Sequence, residues 1–206
     1  MPISDCEVRD PRIRRTRQLL QGALTTLMQT KGFDEISVQD ITDAATVNRA
    51  TFYDHYTDKF SLLEATVGGG FHMLLHQRNI LFDGTCPSAA GAVILAACDY
   101  LTQTHAGSAC PRQSAFEPLI DAAMTTAIRR VIENGMSRSR SESNSAVSPE
   151  MAAMAASWAI YGAVKQWFYT PNHPPAEEIV PSIQQLVLPI LRQSEPTQIP
   201  RPVPAA

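Results

Sequence analysis

A chain of 206 residues, 44% apolar and 18% charged, suits one or two globular domains with a sizeable core and excludes a disordered polypeptide. No run of about eighteen apolar residues offers a membrane span, and MPISDCEVRDPRIRRTR at the N-terminus has no apolar signal core, which reads as a cytoplasmic protein. The net charge of −3 argues against a polyanionic partner in sum but not in distribution, because Arg9, Arg12, Arg14, Arg15 and Arg17 form a basic arm opposed only by Asp10.

Ile13, Leu20, Leu24, Leu27 and Met28 recur at helical spacing and predict a first helix from about Asp10 to Thr30. Lys31-Gly32 closes it, since glycine accepts the left-handed conformation that follows many last turns. Phe33 and Ile36 supply apolar contacts in the connection. Ser37 is a good N-cap with Asp40 in a capping-box place, and Val38, Ile41, Ala44 and Ala45 mark one face of a second helix. A tight turn at Thr46-Val47 leads to Asn48, the cap of a short third helix reaching about His55. Thr57-Asp58 opens the next helix, which carries Phe60, Leu62, Leu63, Val67, Phe71, Leu74 and Leu75. Gly68-Gly69-Gly70 is out of place there, at about 1 kcal/mol per glycine relative to alanine; it predicts a break, a close helix contact or a hinge.

Further helices are expected over Ala89 to Thr104, over Phe116 to Asn134 with a break within it, in PEMAAMAASWAIYGAVKQWFY and in PPAEEIVPSIQQLVLPILRQ. Pro181 fits an early turn of the last and Pro189 should kink its end. SRSRSESNSAVSPE reads as a polar linker and EPTQIPRPVPAA as a frayed tail. No strand pattern is found, so the chain reads as all-α.

Two short helices joined by a tight turn and backed by a longer one make a helix-turn-helix, whose second helix enters the major groove. Phe52 is its apolar anchor, pointing back to Ile41, Val47 and the first helix. Around it, Arg49 can read guanine edges, Asn48 adenine edges, and Ala50 a thymine methyl. The hydroxyls of Thr51 and Tyr53 and the cations of His55 and Lys59 suit phosphate oxygens, which position without specifying.

The stretch ISVQDITDAATVNRATFYDHYTDKFSLLEA resembles the N-terminal DNA-binding domain of the tetracycline-repressor (TetR/AcrR) family of bacterial regulators, above all in Thr51-Phe52-Tyr53-Asp54-His55-Tyr56 and the following Lys59. The resemblance is strong over about residues 10–65 and architectural beyond them. It implies a flexible N-terminus over 1–8, a three-helix DNA-binding domain over 9–56, a helical effector-binding and dimerisation domain over 57–195, and a flexible tail over 196–206. It also implies a homodimer formed through the last two long helices. Its partners would be double-stranded operator DNA, near-palindromic in sequence, and a small-molecule effector that releases the repressor. The implied DNA contacts are Arg17, Ser37, Val38, Asn48, Arg49, Ala50, Thr51, Tyr53, His55, Tyr56 and Lys59, and the pocket candidates are His72, Phe116, Trp158 and Tyr161. Thr46 departs from the glycine common in the family's turn; threonine resists positive φ, which predicts a locally adjusted turn.

Other constellations carry less. His72 and His76 have metal-ligand spacing but lack the glutamate of a metalloprotease motif, and they read as pocket or surface residues rather than a metal site. Cys86, Cys98 and Cys110 recur at equal intervals and raise a redox-sensing alternative, although, with Cys6, they lack C-x-x-C spacing and read as reduced thiols. An enzyme with a helical domain is the other alternative; no nucleophile–base pair or phosphate loop supports it, and no cofactor is implied.

Overall fold

The computed structural model describes residues 10–78, 86–105, 117–138 and 147–192. Among them are eight α-helices and one 3₁₀ turn, with no strand: α1 (Pro11–Met28), the 3₁₀ turn (Phe33–Glu35), α2 (Val38–Ala45), α3 (Arg49–His55), α4 (Lys59–Gln77), α5 (Pro87–His105), α6 (Glu117–Arg138), α7 (Pro149–Tyr169) and α8 (Ala176–Arg192). No described helix is long and apolar enough to cross a membrane. The chain divides into two compact units, residues 1–79 with 96–127 and residues 80–95 with 128–206. The first therefore runs beyond residue 56, the end of the DNA-binding domain expected from the sequence.

Helix starts follow local chemistry. Asp10 accepts from the Arg12 amide at 2.8 Å, with Pro11 at the first helical position, where a missing N–H costs nothing. Asp58 and Ser61 form a capping box on α4, and Ser148 with Pro149 opens α7. In the first unit α1 packs on α2 and α4, and α2 on α3. Leu20, Leu24, Phe33, Ile36, Ile41, Phe52, Leu62 and Phe71 are sealed from solvent there. In the second unit α7 packs on α8, and Ile160, Val164, Ile183 and Val187 lie in its core. The α7–α8 corner is pinned by the Trp167 indole N–H donating to the Pro174 carbonyl at 2.7 Å.

Two expectations are corrected. The stretch over 117–138 is one unbroken helix. The glycine run does not break α4, whose buried Leu62, Leu63, Val67, Phe71, Leu74 and Leu75 carry the helix through it. Burial of a helix face contributes more than propensity does. The reason for small residues is visible at Gly70, where a Cβ would stand 3.1 Å from the Tyr100 ring of α5; at Gly68 it would meet nothing. Burial pushes the Tyr100 phenol up to about 12. The tail and most of the Ser-rich linker lie outside the described residues.

Gly68→Ala should therefore raise stability by about 0.5–1 kcal/mol, while Gly70→Ala should lose that gain against the Tyr100 ring. Thermal melting of the two single variants checks the contrast; equal shifts would show that Tyr100 does not set the spacing.

Candidate nucleic-acid interface

The site is built on two caps and a turn. Ser37 and Asp40 close a reciprocal box: the Asp40 amide donates to Ser37 Oγ at 3.1 Å, and the Ser37 amide and hydroxyl donate to Asp40 Oδ2 at 2.9 and 2.7 Å. Those bonds, with Lys31 Nζ at 3.3 Å, hold the Asp40 carboxyl down at about 2 against an ordinary 3.8. The depressed value means this cap supports α2 fully above pH 4 and loses its contribution as pH falls through about 2.

Thr46 ends α2 at φ 55° and ψ 44°, so the turn is not adjusted to suit threonine; the threonine adopts the left-handed conformation. Such a residue costs about 1–2 kcal/mol without glycine's freedom. Its amide donates to Asp43 O at 3.1 Å and the Val47 amide to Thr42 O at 3.0 Å, satisfying carbonyls that the helix end would leave open. The chain then reverses into Asn48, whose Oδ1 accepts from the Ala50 amide at 2.9 Å. Asn48 is thus an N-cap, its side-chain oxygen committed to the start of α3.

Over its seven residues α3 buries Phe52 completely, and Phe52 is its only fully buried member. Arg49, Ala50, Tyr53 and Asp54 face solvent, with Thr51 and His55 half-buried. Arg49 Nη2 donates to Tyr53 Oη at 3.3 Å, and the guanidinium lies 5.7 Å from the centroid of that ring. Tyr53 is 49% exposed and meets Phe52 edge to face at 5.3 Å. Ser37 and Val38, at the start of α2, are exposed and half-buried respectively.

Three residues expected at a DNA surface are structural instead. Tyr56 is only 3% exposed, its ring beside Phe52 at 5.9 Å and its hydroxyl accepting from Gln21 Nε2 at 3.1 Å. Arg17 is 5% exposed, its guanidinium 5.3 Å from the Tyr56 centroid, so it leaves the basic arm for the core. Lys59 spends its ammonium on the carbonyls of Phe33, Asp34 and Ile36 at 3.0, 3.1 and 2.9 Å. It also lies 4.8 Å from the Phe33 ring centroid. An ammonium has three donors. All three are used in tying α4 to the 3₁₀ turn, and a phosphate would have to displace them. Of the arm, Arg12, Arg14 and Arg15 are exposed on α1, and Arg9 lies outside the described residues.

The pocket candidates are spread over both units. Trp158 is 56% exposed on α7, which corrects its assignment to a cavity wall. Tyr161 is buried in the second unit, His72 is half-buried in the first, and Phe116 lies outside the described residues. A groove of about 340 Å³ in the first unit is bounded by Asp58, Phe60, Leu63, Glu64 and Leu119, none of them expected there from the sequence. Cys98 is buried and Cys86 half-buried, its Sγ 2.7 Å from Ser88 Oγ; Cys6 and Cys110 are outside the described residues. Sequence reasoning also missed Gln21, Gly91 and Gln184: Gln184 donates to the Pro87 carbonyl, and a Cβ on Gly91 would meet its side chain. Long-range packing gives such residues no local signal.

A capped short helix with a polar outer face, set on a turn from α2 and backed by α1, defines a helix-turn-helix protein. Residues 20–66 match the model of bacterial regulatory proteins of the tetR family. An uncharacterized HTH-type transcriptional regulator of Bacillus subtilis (strain 168), YxbF, is 42% identical over 59 residues, 28% of this chain. The chain spans only 16% of that relative's length. A TetR-family regulator from Streptomyces coelicolor A3 shares the fold at a TM-score of 0.53 and 16% identity, over 89% of this chain and 98% of that one. A second tetR-family transcriptional regulator from Streptomyces coelicolor gives 0.50 and 18%, over 84% and 81%. The likeness to the tetR family of bacterial regulatory proteins is thus carried by the N-terminal segment.

Lys59→Met keeps an apolar stem beside Phe33 but removes the donors to three carbonyls, two of those bonds part-buried, and should cost about 1–3 kcal/mol of stability in urea unfolding. An unchanged midpoint would return the ammonium to the surface.

Proposed function

We propose that this protein is a DNA-binding transcriptional regulator that acts as a homodimer on a near-palindromic operator, as a repressor released by a small-molecule effector. The DNA-binding domain is residues 9–56, and effector binding and dimerisation belong to 57–195. The observation that carries the reading is α3 itself. One sealed phenylalanine fixes a seven-residue helix whose outer face offers Arg49, Ala50, Tyr53 and the edge of Thr51, within the segment that matches the family. Arg49 supplies a bidentate donor for guanine, and Ala50 a methyl for thymine. Asn48 contributes through the groove-facing side of its cap, and Ser37, Val38 and His55 through the phosphates beside it.

An exposed apolar stripe supports the dimer. Met151, Met154 and Trp158 lie along the outside of α7, and Leu186 is 68% exposed on α8. Monomers rarely leave such rows uncovered. Two copies joined there would present two reading heads to half-sites about 34–36 Å apart. An effector then acts only by binding better to one spacing of those heads than to another.

Selection from random double-stranded DNA with the purified protein should enrich an inverted repeat, bound with an affinity that falls steeply with salt. Arg49→Ala should cost about 1–3 kcal/mol and relax one base pair in each half-site. Lys59→Met should leave the salt slope unchanged, because its ammonium is engaged within the fold. Enrichment of nothing above background would refute the reading.

Trp158→Glu should convert the dimer to a monomer in sedimentation velocity and weaken binding to the full repeat. A variant that stays dimeric would place the interface elsewhere.

A further inference from the structure

We infer that Tyr53 is a positioning residue for Arg49, and that the pair, not the arginine alone, sets base preference in each half-site. The inference rests on the DNA-binding reading above and goes beyond it in assigning Tyr53 a task other than holding a phosphate. Arg49 is the first residue of α3 and Tyr53 stands four further on, the spacing at which helical side chains meet. The guanidinium donates to Tyr53 Oη at 3.3 Å and lies 5.7 Å from the ring centroid. The ring in turn meets Phe52 edge to face, at 5.3 Å and 84°. Phe52 has no exposure at all. A chain of contacts thus runs from the sealed core to the outermost cation of the helix.

Arginine on an exposed first turn would otherwise sample many rotamers, and its ordering would be lost from the binding energy. Here one of its five N–H donors is engaged at the Tyr53 hydroxyl, which leaves the others for a base edge. The tyrosine, held through its own ring, fixes the plane in which those donors are offered. A planar fork reads guanine only when its plane matches that of the base.

The test is a double-mutant cycle on the enriched repeat, with Tyr53→Phe, Tyr53→Leu, Arg49→Ala and the Arg49→Ala combinations. Tyr53→Leu should lose about fivefold in affinity and Tyr53→Phe about twofold, since the ring remains. Tyr53→Leu should relax the same base pair that Arg49→Ala relaxes, and neither Tyr53 change should cost anything further once Arg49 is alanine. Losses of equal size in both backgrounds would overturn the inference, because Tyr53 would then act on the DNA or the fold by itself. In the free protein the Arg49 side-chain protons should be shifted upfield by the ring, and the shift should vanish in Tyr53→Leu. Its absence from the parent protein overturns the inference even where DNA binds. If the shift is present and no sequence is enriched, the DNA-binding reading fails and takes this role for the pair with it. Should Tyr53→Leu melt early, Tyr53→Phe and the proton shifts still decide.

Discussion

A helix of seven residues cannot hold itself together in water, because the cost of the first turn is never recovered over so short a length. The stability of α3 has to come from outside, and it comes through one side chain. Phe52 is wholly buried in the unit that also seals Ile41 and Leu20, and α1 packs on α2 as α2 packs on α3. With a single fully buried anchor, most of α3 is left for its outer face, Thr51 and His55 being half-buried. A second large apolar residue would have added burial and removed a position from that face. The Asn48 cap then serves in place of length, satisfying an amide that a longer helix would leave as a smaller share of its total.

The same economy governs the cations. Counted along the chain, the first sixty residues carry enough arginine and lysine to suggest a broad phosphate footprint. In the folded unit two of the most suggestive, Arg17 and Lys59, are occupied with architecture. Arg17 stacks on Tyr56, and Lys59 closes the 3₁₀ turn against the start of α4. Exposed among the described residues of that stretch are Arg12, Arg14 and Arg15 on α1, Arg49 on α3, and Lys31, whose ammonium pairs with Asp40. In a chain of net charge −3 a small footprint places more weight on the geometry of each cation than on their number.

Which features were legible follows from how far their causes reach. Caps are local, so Asp10, Ser37 with Asp40, Asn48 and Asp58 mark helix starts that the structure places within a residue or so. The buried phenylalanine of α3 was legible because its neighbours are all polar or small. Tyr56 was not: it follows the helix, where periodicity no longer tells inside from outside, and its burial depends on Gln21 and Arg17 of α1. The fate of Lys59 depends on three carbonyls more than twenty residues away, which no spacing rule encodes. Trp158 and Tyr161 look alike on a helical wheel, about 60° apart at three residues' spacing. That angle is enough to put the tyrosine in the core and the tryptophan on the exposed stripe.

Thr46 shows how strain and register are joined. A left-handed residue at the end of α2 is what lets the Val47 amide reach back to Thr42 O and sends the chain toward Asn48 at the angle α3 requires. Glycine would reach that conformation with less strain, but it would leave the turn freer in the unfolded chain and softer in the folded one. Threonine narrows the choices on both sides, and the two turn hydrogen bonds with the burial of Phe52 hold it where it would not go alone. The direction in which α3 presents Arg49 and Tyr53 is therefore fixed twice, by a turn residue under strain before it and by an aromatic anchor within it. Loosening either one would blur the orientation of the arginine without removing a single atom from the face it presents.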